Sequence, residues 1–157
     1  MKRPRAYADT SVFGGCFDDE FADASRKFFA EVSAGKAILL VSNTTVRELE
    51  GAPQEVRRVL TELPGECVEA IEADEEVRSL RDAYLRAGVV GPASGDDAEH
   101  IACASVAGAD FMVSWNFKHI VNFEKIRGYH AVNMIQGYMA IPIYSPLEVI
   151  EYEEETF

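Results

Sequence analysis

Ala37-Ile38-Leu39-Leu40-Val41 is the stretch on which the fold turns. Five consecutive apolar residues without polar alternation mark a strand buried on both faces. Gly35 stands before the run as the C-cap of a preceding helix, and a short helix begins near Thr45. The same punctuation recurs outward in both directions. Residues 5–9 form a first strand, and residues 18–34 a helix in which Phe21, Ala24, Phe28 and Val32 recur at helical spacing. Downstream, Pro53 opens a helix with Val56, Val59, Leu60 and Leu63 on one face, and Pro64-Gly65 ends it. Residues 67–71 form a third strand, and residues 74–87 a helix closed by Gly88. A loop at 92–95 leads into a small-residue helix over 97–107, ended by Gly108, and then a short buried strand over 111–114. The spacing predicts a brief helix over 120–126 with Gly128 behind it, a last strand over 139–144 and a terminal turn from Pro146. Pro142 suits an edge position in that last strand.

Alternating strands and helices in a short chain mean βαβ units with right-handed crossovers. The expected fold class is α/β: a three-layer sandwich with a central, mainly parallel sheet of about five strands and helices on both faces. A single domain spans residues 1–157, with an acidic C-terminal tail from about residue 151.

Composition narrows the function. At 48% hydrophobic residues the chain can build an ordinary core, yet no apolar run approaches the roughly 18 residues of a membrane span. No apolar stretch follows the basic Met1-Lys2-Arg3-Pro4-Arg5, so no secretory signal is expected. Cys16, Cys67 and Cys103 are odd in number and far apart, as in a cytoplasmic protein with reduced, buried thiols. The net charge of -12 argues against a nonspecific nucleic-acid coat, which needs a basic face. The acidic tail (Glu148, Glu151, Glu153, Glu154, Glu155) carries part of it, while Lys118, His119, Lys125 and Arg127 form a local basic cluster. A basic rim on an acidic molecule, or a basic protein partner, fits this distribution.

The carboxylates that end or follow strands carry the chemistry. In an open α/β sheet, ligands bind outside the carboxyl ends of the strands. Asp9 ends the first strand in Tyr7-Ala8-Asp9-Thr10-Ser11, before a turn at Val12-Phe13-Gly14-Gly15. Glu48 lies one turn into the helix after the second strand, Asp97 in the first turn of the small-residue helix, and Asn116 just past the fourth strand. All four are expected at one edge; Asp110 precedes the fourth strand and belongs at the other. Like charges about 4 Å apart cost roughly 4 kcal/mol per pair at an effective dielectric near 20. Such a cluster persists around a cation or with shared protons. Hard oxygen donors select Mg²⁺ or Mn²⁺, and a divalent ion held by carboxylates suits phosphodiester hydrolysis. Each residue also has a plain structural reading. Thr45 to Glu48 and Ser94 to Asp97 fit capping boxes, Asp9 fits an Asx turn, and Asn116 fits a turn cap.

Four stretches carry a resemblance. They are Tyr7 to Val12, Ser42 to Leu49 ending in Arg47-Glu48-Leu49, Asp97-Ala98-Glu99-His100-Ile101-Ala102-Cys103-Ala104, and Phe111-Met112-Val113-Ser114-Trp115-Asn116-Phe117-Lys118-His119. Their order and spacing resemble a PIN domain, specifically a VapC-type toxin ribonuclease. The resemblance implies a three-layer α/β sandwich that uses Mg²⁺ or Mn²⁺ to cut single-stranded RNA. It implies Asp9, Glu48 and Asp97 as metal-binding acids, a small antitoxin protein as partner, and a homodimer. Asn116 departs from the pattern, because many members carry a fourth aspartate there; a neutral ligand weakens a second ion most.

Around this core, Thr10 and Ser11 are placed to hydrogen-bond Asp9 or a substrate phosphate, and Lys118 and His119 to touch phosphate; turn hydroxyls and plain surface residues are the alternatives. Trp115 is either a base-stacking ring or core. His100 shares a helical face with Asp97 and is otherwise a packed or surface histidine. The three His and three Cys show no zinc spacing, and no phosphate loop is present. The reading is therefore a metal-dependent endoribonuclease that cleaves single-stranded or structured RNA as the toxin of a type II toxin–antitoxin pair. The alternative is a noncatalytic PIN-like module that binds RNA or protein. A carboxylate phosphohydrolase of another α/β family would need an Asp-x-Asp pair, and Thr10-Ser11 follows Asp9 instead.

Overall fold

In the computed structural model, which describes residues 2–152, five strands form one sheet in the order β3-β2-β1-β4-β5. They are β1 (Arg5–Ala8), β2 (Ile38–Ser42), β3 (Val68–Ile71), β4 (Phe111–Val113) and β5 (Ile143–Tyr144). Every pairing is parallel, with Tyr7 opposite both Leu40 and Met112, and Ala8 opposite Val113. Parallel neighbours require crossovers, and seven helices supply them: α1 (Thr10–Gly15), α2 (Ala22–Ser33), α3 (Asn43–Glu50), α4 (Gln54–Thr61), α5 (Glu75–Arg86), α6 (Gly95–Val106) and α7 (Phe123–Gln136).

The apolar run of β2 divides between two cores, as its lack of alternation requires. Leu40 joins Tyr7 and Met112 on the face covered by Leu80 and Tyr84 of α5, Ile101 and Ala102 of α6, and Tyr129 of α7. Leu39 and Val41 join Ala6, Ala8 and Val113 on the other face, under Phe13 of α1, Phe28, Phe29 and Val32 of α2, and Val56 of α4. The fold is thus the expected three-layer α/β sandwich. Truncating a fully buried residue such as Leu40 to Ala costs about 2–5 kcal/mol.

Several boundaries differ from the sequence reading, each for a physical reason. The predicted turn at 12–15 is the body of α1, whose Val12 and Phe13 are buried in the core. The helix expected from residue 18 begins at Ala22, because Asp18 heads a turn in which its side chain accepts from Glu20 N and its carbonyl from Ala22 N. α3 starts at Asn43, two residues before Thr45, because Ser42 is the N-cap and its hydroxyl accepts from Thr45 N at 3.1 Å. That removes Thr45 as a cap and frees Glu48 from the capping-box reading. Ser94 likewise makes no side-chain cap, so Asp97 is not half of a box.

The largest departure is α7. The brief helix expected at 120–126 is instead a 14-residue helix that starts after the cap Asn122 and runs straight through Gly128. Gly128 is there for contact: a Cβ at that position would lie 2.9 Å from Val89 Cγ1. The stop comes at Gly137, whose φ of 86° is the left-handed conformation that glycine adopts freely. The last strand shortens to Ile143–Tyr144 and lies at the sheet edge, as Pro142 suggested. Of the acidic tail, Glu148 caps the turn at Ser145 and Glu151 pairs with Lys36 at 2.6 Å. Glu153, Glu154 and Glu155 lie outside the described residues. Cys16, Cys67 and Cys103 are free and buried. No described helix is long and apolar enough to cross a membrane.

Candidate active site

Past the carboxyl end of β1 the backbone of Asp9 stays tied to the sheet, its N–H donating to Val113 O at 3.3 Å. Its side chain is 4% exposed and receives one hydroxyl on each oxygen: Ser11 Oγ at 2.5 Å on Oδ1 and Ser114 Oγ at 2.8 Å on Oδ2. Burial raises its carboxyl above the ordinary range and the nearby Asp97 charge adds to this, while His100 and the two hydroxyls oppose it.

Glu48, on α3, is positioned by both flanking layers. Its Oε2 accepts from Thr10 Oγ1 at 2.7 Å, and its Oε1 pairs with His100 Nε2 at 2.7 Å. Burial works to raise this carboxyl, but the hydrogen bond and charge of His100, with Thr10 and Arg47, outweigh it and hold it below the ordinary range. Asp97, half-buried in the first turn of α6, is raised by burial and by Glu48, against the charges of His119 and His100 and the Asn116 amide. Asp110 lies at the opposite edge, accepting from Arg5 N at 2.7 Å, as expected from its place before β4.

Asn116 does two local jobs. Its N–H donates to Ser114 Oγ at 2.9 Å, and its Oδ1 accepts from His119 N at 2.9 Å, which is the turn-cap alternative realised. Thr10 and Ser11 direct their hydroxyl protons to Glu48 and Asp9 respectively. Lys118 is exposed and His119 half-buried. Trp115 is not a free stacking surface: it is 6% exposed, stacked on Phe21 at 4.2 Å between ring centroids, and its Nε1 donates to Ser25 Oγ.

Two residues matter more than the sequence suggested. His100 is 2% exposed and lies among Asp9, Glu48 and Asp97, all three of which act on its charge. Its Nδ1 faces Tyr7 Oη at 2.6 Å, and Tyr7 Oη reaches Ser42 Oγ at 2.9 Å. The i, i+3 spacing of Asp97 and His100 was the only signal for it. Ser114 holds Asp9 and the Asn116 backbone together, and no local pattern marks it.

The donor set is hard: three carboxylates and an amide oxygen, each carboxylate oxygen of Asp9 keeping a lone pair after its hydroxyl bond. That chemistry fits Mg²⁺ or Mn²⁺. Among the described residues, however, no three His, Cys, Asp or Glu side chains stand in a closed metal-ligand arrangement. The acids share an edge, and coordination would require their side chains to draw together. None of the acids lines the apolar groove of about 440 Å³ that Val41, Val46, Leu60, Leu63, Val68 and Ile71 form beside β3.

This parallel five-stranded sandwich with its acids at the carboxyl edge is a PIN-like fold. The chain is similar in structure to a chain in the crystal structure of VapBC2 from Rickettsia felis bound to a DNA fragment from their promoter. The TM-score is 0.54 at 10% identity, over 88% of this chain and 96% of that one. No family model matches the sequence, and no curated protein matches it.

Proposed function

We propose that the chain is a metal-dependent endoribonuclease, the toxin of a type II toxin–antitoxin pair acting in the cytoplasm on RNA. The observation that carries the reading is the grouping of Asp9, Glu48 and Asp97 around the buried His100, with two of the three carboxyls held above their ordinary range. Perturbed acids gathered at the ligand-binding edge of a sheet are the electrostatic mark of a functional site. The likeness to a VapBC2 chain supports the toxin reading and a small antitoxin as partner. A homodimer belongs to the same reading.

Asp9, Glu48 and Asp97 would hold Mg²⁺ or Mn²⁺. When bound, such an ion supplies charge stabilisation at the scissile phosphate and lowers the pKa of an attacking water. The remaining work falls to the chain. Ser11 and Ser114 fix the Asp9 carboxylate, and Thr10 and His100 fix that of Glu48. Asn116, instead of a fourth acid, steadies Asp97 through its amide and shapes the turn that carries Lys118 and His119. Lys118 supplies positive charge for the substrate backbone and His119 an imidazole beside it, alongside the backbone N–H groups of Thr10 and Ser11, whose hydroxyl protons are committed to Glu48 and Asp9.

Incubating single-stranded RNA with Mg²⁺ or Mn²⁺ tests the reading. Wild-type protein should cleave and Asp9→Asn should not; equal cleavage by both, or none by either with any divalent ion, overturns it. One observation favours a second reading. Asn116 commits its oxygen to a backbone N–H and the acids are not drawn together, as in a noncatalytic PIN-like module that binds RNA or protein.

A further inference from the structure

We infer that Phe117 is a base-stacking platform, the subsite for a nucleobase of the strand bound at the carboxylate edge. The inference rests on the ribonucleic-acid reading above. Phe117 directly follows Asn116 and is 48% exposed, whereas Trp115 two residues earlier is buried. Its ring is not loose. It sits with its centroid 6.2 Å from Trp115 and 6.4 Å from Phe21, tilted against both, while Phe21 and Trp115 stack on each other at 18°.

That backing is itself anchored to the site. Trp115 N–H donates to Ser11 Oγ at 2.9 Å, the same hydroxyl that holds Asp9, and its indole N–H donates to Ser25 Oγ at 2.8 Å. Gly15 lets the indole lie that close: a Cβ there would stand 2.7 Å from Trp115 Nε1. An exposed ring is therefore presented on a rigid support in direct connection with the Asp9 shell. Lys118 and His119 follow it in the chain, Lys118 a cation on a molecule of net charge -12. On such a molecule, general electrostatic attraction cannot hold a strand. Stacking and a few local cations must do it, and an aromatic face accepts any base.

The test uses the full chain with Phe117→Leu, which keeps apolar volume without a π face, and Phe117→Tyr, which keeps the ring. Binding of a fluorescein-labelled single-stranded RNA in EDTA and of an abasic strand of equal length is read by anisotropy. KM and kcat for RNA cleavage are read in Mn²⁺. Phe117→Leu should weaken RNA binding roughly tenfold and raise KM with kcat little changed. Phe117→Tyr should restore both, and the abasic strand should not distinguish the three proteins. Superimposable RNA isotherms for wild type and Phe117→Leu overturn the platform, including the case in which the ring serves a protein partner. An equal loss on the abasic strand overturns it too. These outcomes are separable from the enzymatic reading: cleavage abolished by Asp9→Asn with Phe117→Leu unaffected removes only the platform, and base-dependent binding without cleavage removes only the nuclease. The emission of Trp115, the one tryptophan in the chain, reports whether each variant keeps the aromatic cluster.

Discussion

His100 Nε2 lies 2.7 Å from Glu48 Oε1, a pairing between α6 and α3 across 52 residues of chain. The other ring nitrogen faces Tyr7 Oη at 2.6 Å, so both nitrogens meet groups able to accept a proton's hydrogen bond. Burial works against a charged ring, but Glu48, Asp9 and Asp97 together outweigh it, and the imidazole is held above its ordinary pKa of 6.5. The fold thus places among its acids an imidazole whose charged form those acids favour.

The pair makes stability depend on pH, and the signs are fixed. His100, raised in the fold, contributes stability that is complete below its unfolded value and is lost as pH rises through the folded one. Glu48, lowered, contributes above its unfolded value of 4.5 and loses that contribution as pH falls through the folded one. The pair therefore contributes most between 4.5 and 6.5. Asp9, also raised, contributes stability that is lost as pH rises from its ordinary 3.8 through its folded value. Calorimetric melting from pH 5 to about 8 should show Tm falling above 6.5, and less steeply in His100→Gln. Parallel curves for the two proteins would contradict the assignment.

Asp9→Asn should stabilise the fold at neutral pH while removing activity. A buried carboxyl with a raised pKa is a net burden when ionised, and Asn keeps its size and can still pair with Ser11 and Ser114. The expected gain in Tm at pH 7 is of the order of a few degrees, and it should vanish at a pH low enough to protonate Asp9. A Tm lowered by this substitution at pH 7 would refute the burden.

Glu99 locks the helices that carry the site. It is 5% exposed and receives Thr44 Oγ1 at 2.7 Å from α3 and Arg81 Nη1 at 2.8 Å from α5, with the largely exposed Arg47 at 3.5 Å. Removing Glu99 leaves the buried Thr44 hydroxyl without its partner, at a cost of about 1–3 kcal/mol, while Arg81, 27% exposed, keeps Asp82. Chemical denaturation of Glu99→Ala should show a loss of that order, while Arg47→Ala should fall within about 1 kcal/mol of wild type, since exposed pairs contribute little. Equal losses in both would mean the lock is misassigned.

Much of the fold was legible because burial leaves one-dimensional marks. The unbroken run of β2, Gly35, Gly88 and Gly108 as stops, and Pro142 at an edge all kept their meaning. α1 was not legible: six residues containing two glycines have no helical period, and only the core that receives Val12 and Phe13 makes them a helix. Gly128 misled because a glycine chosen for contact with Val89 looks the same in sequence as one chosen for a stop. At the candidate site, the placing of Asp9, Glu48 and Asp97 at one sheet edge followed from where the first strand ends and where two helices begin. His100 and Ser114 did not, since their partners lie 52, 93 and 105 residues away. Ser42 displaced Thr45 as cap by one hydroxyl placement that spacing could not decide.

The central claim is that the carboxylate edge holds a divalent cation, and calorimetric titration of the metal-free full-length chain with Mn²⁺ tests it most directly. Wild type should bind with a saturable isotherm and gain thermal stability of about 2.7 kcal/mol at a hundredfold excess over Kd; both effects should disappear in Asp97→Ala. Heats of dilution alone from wild type, or binding that Asp97→Ala leaves intact, would contradict it.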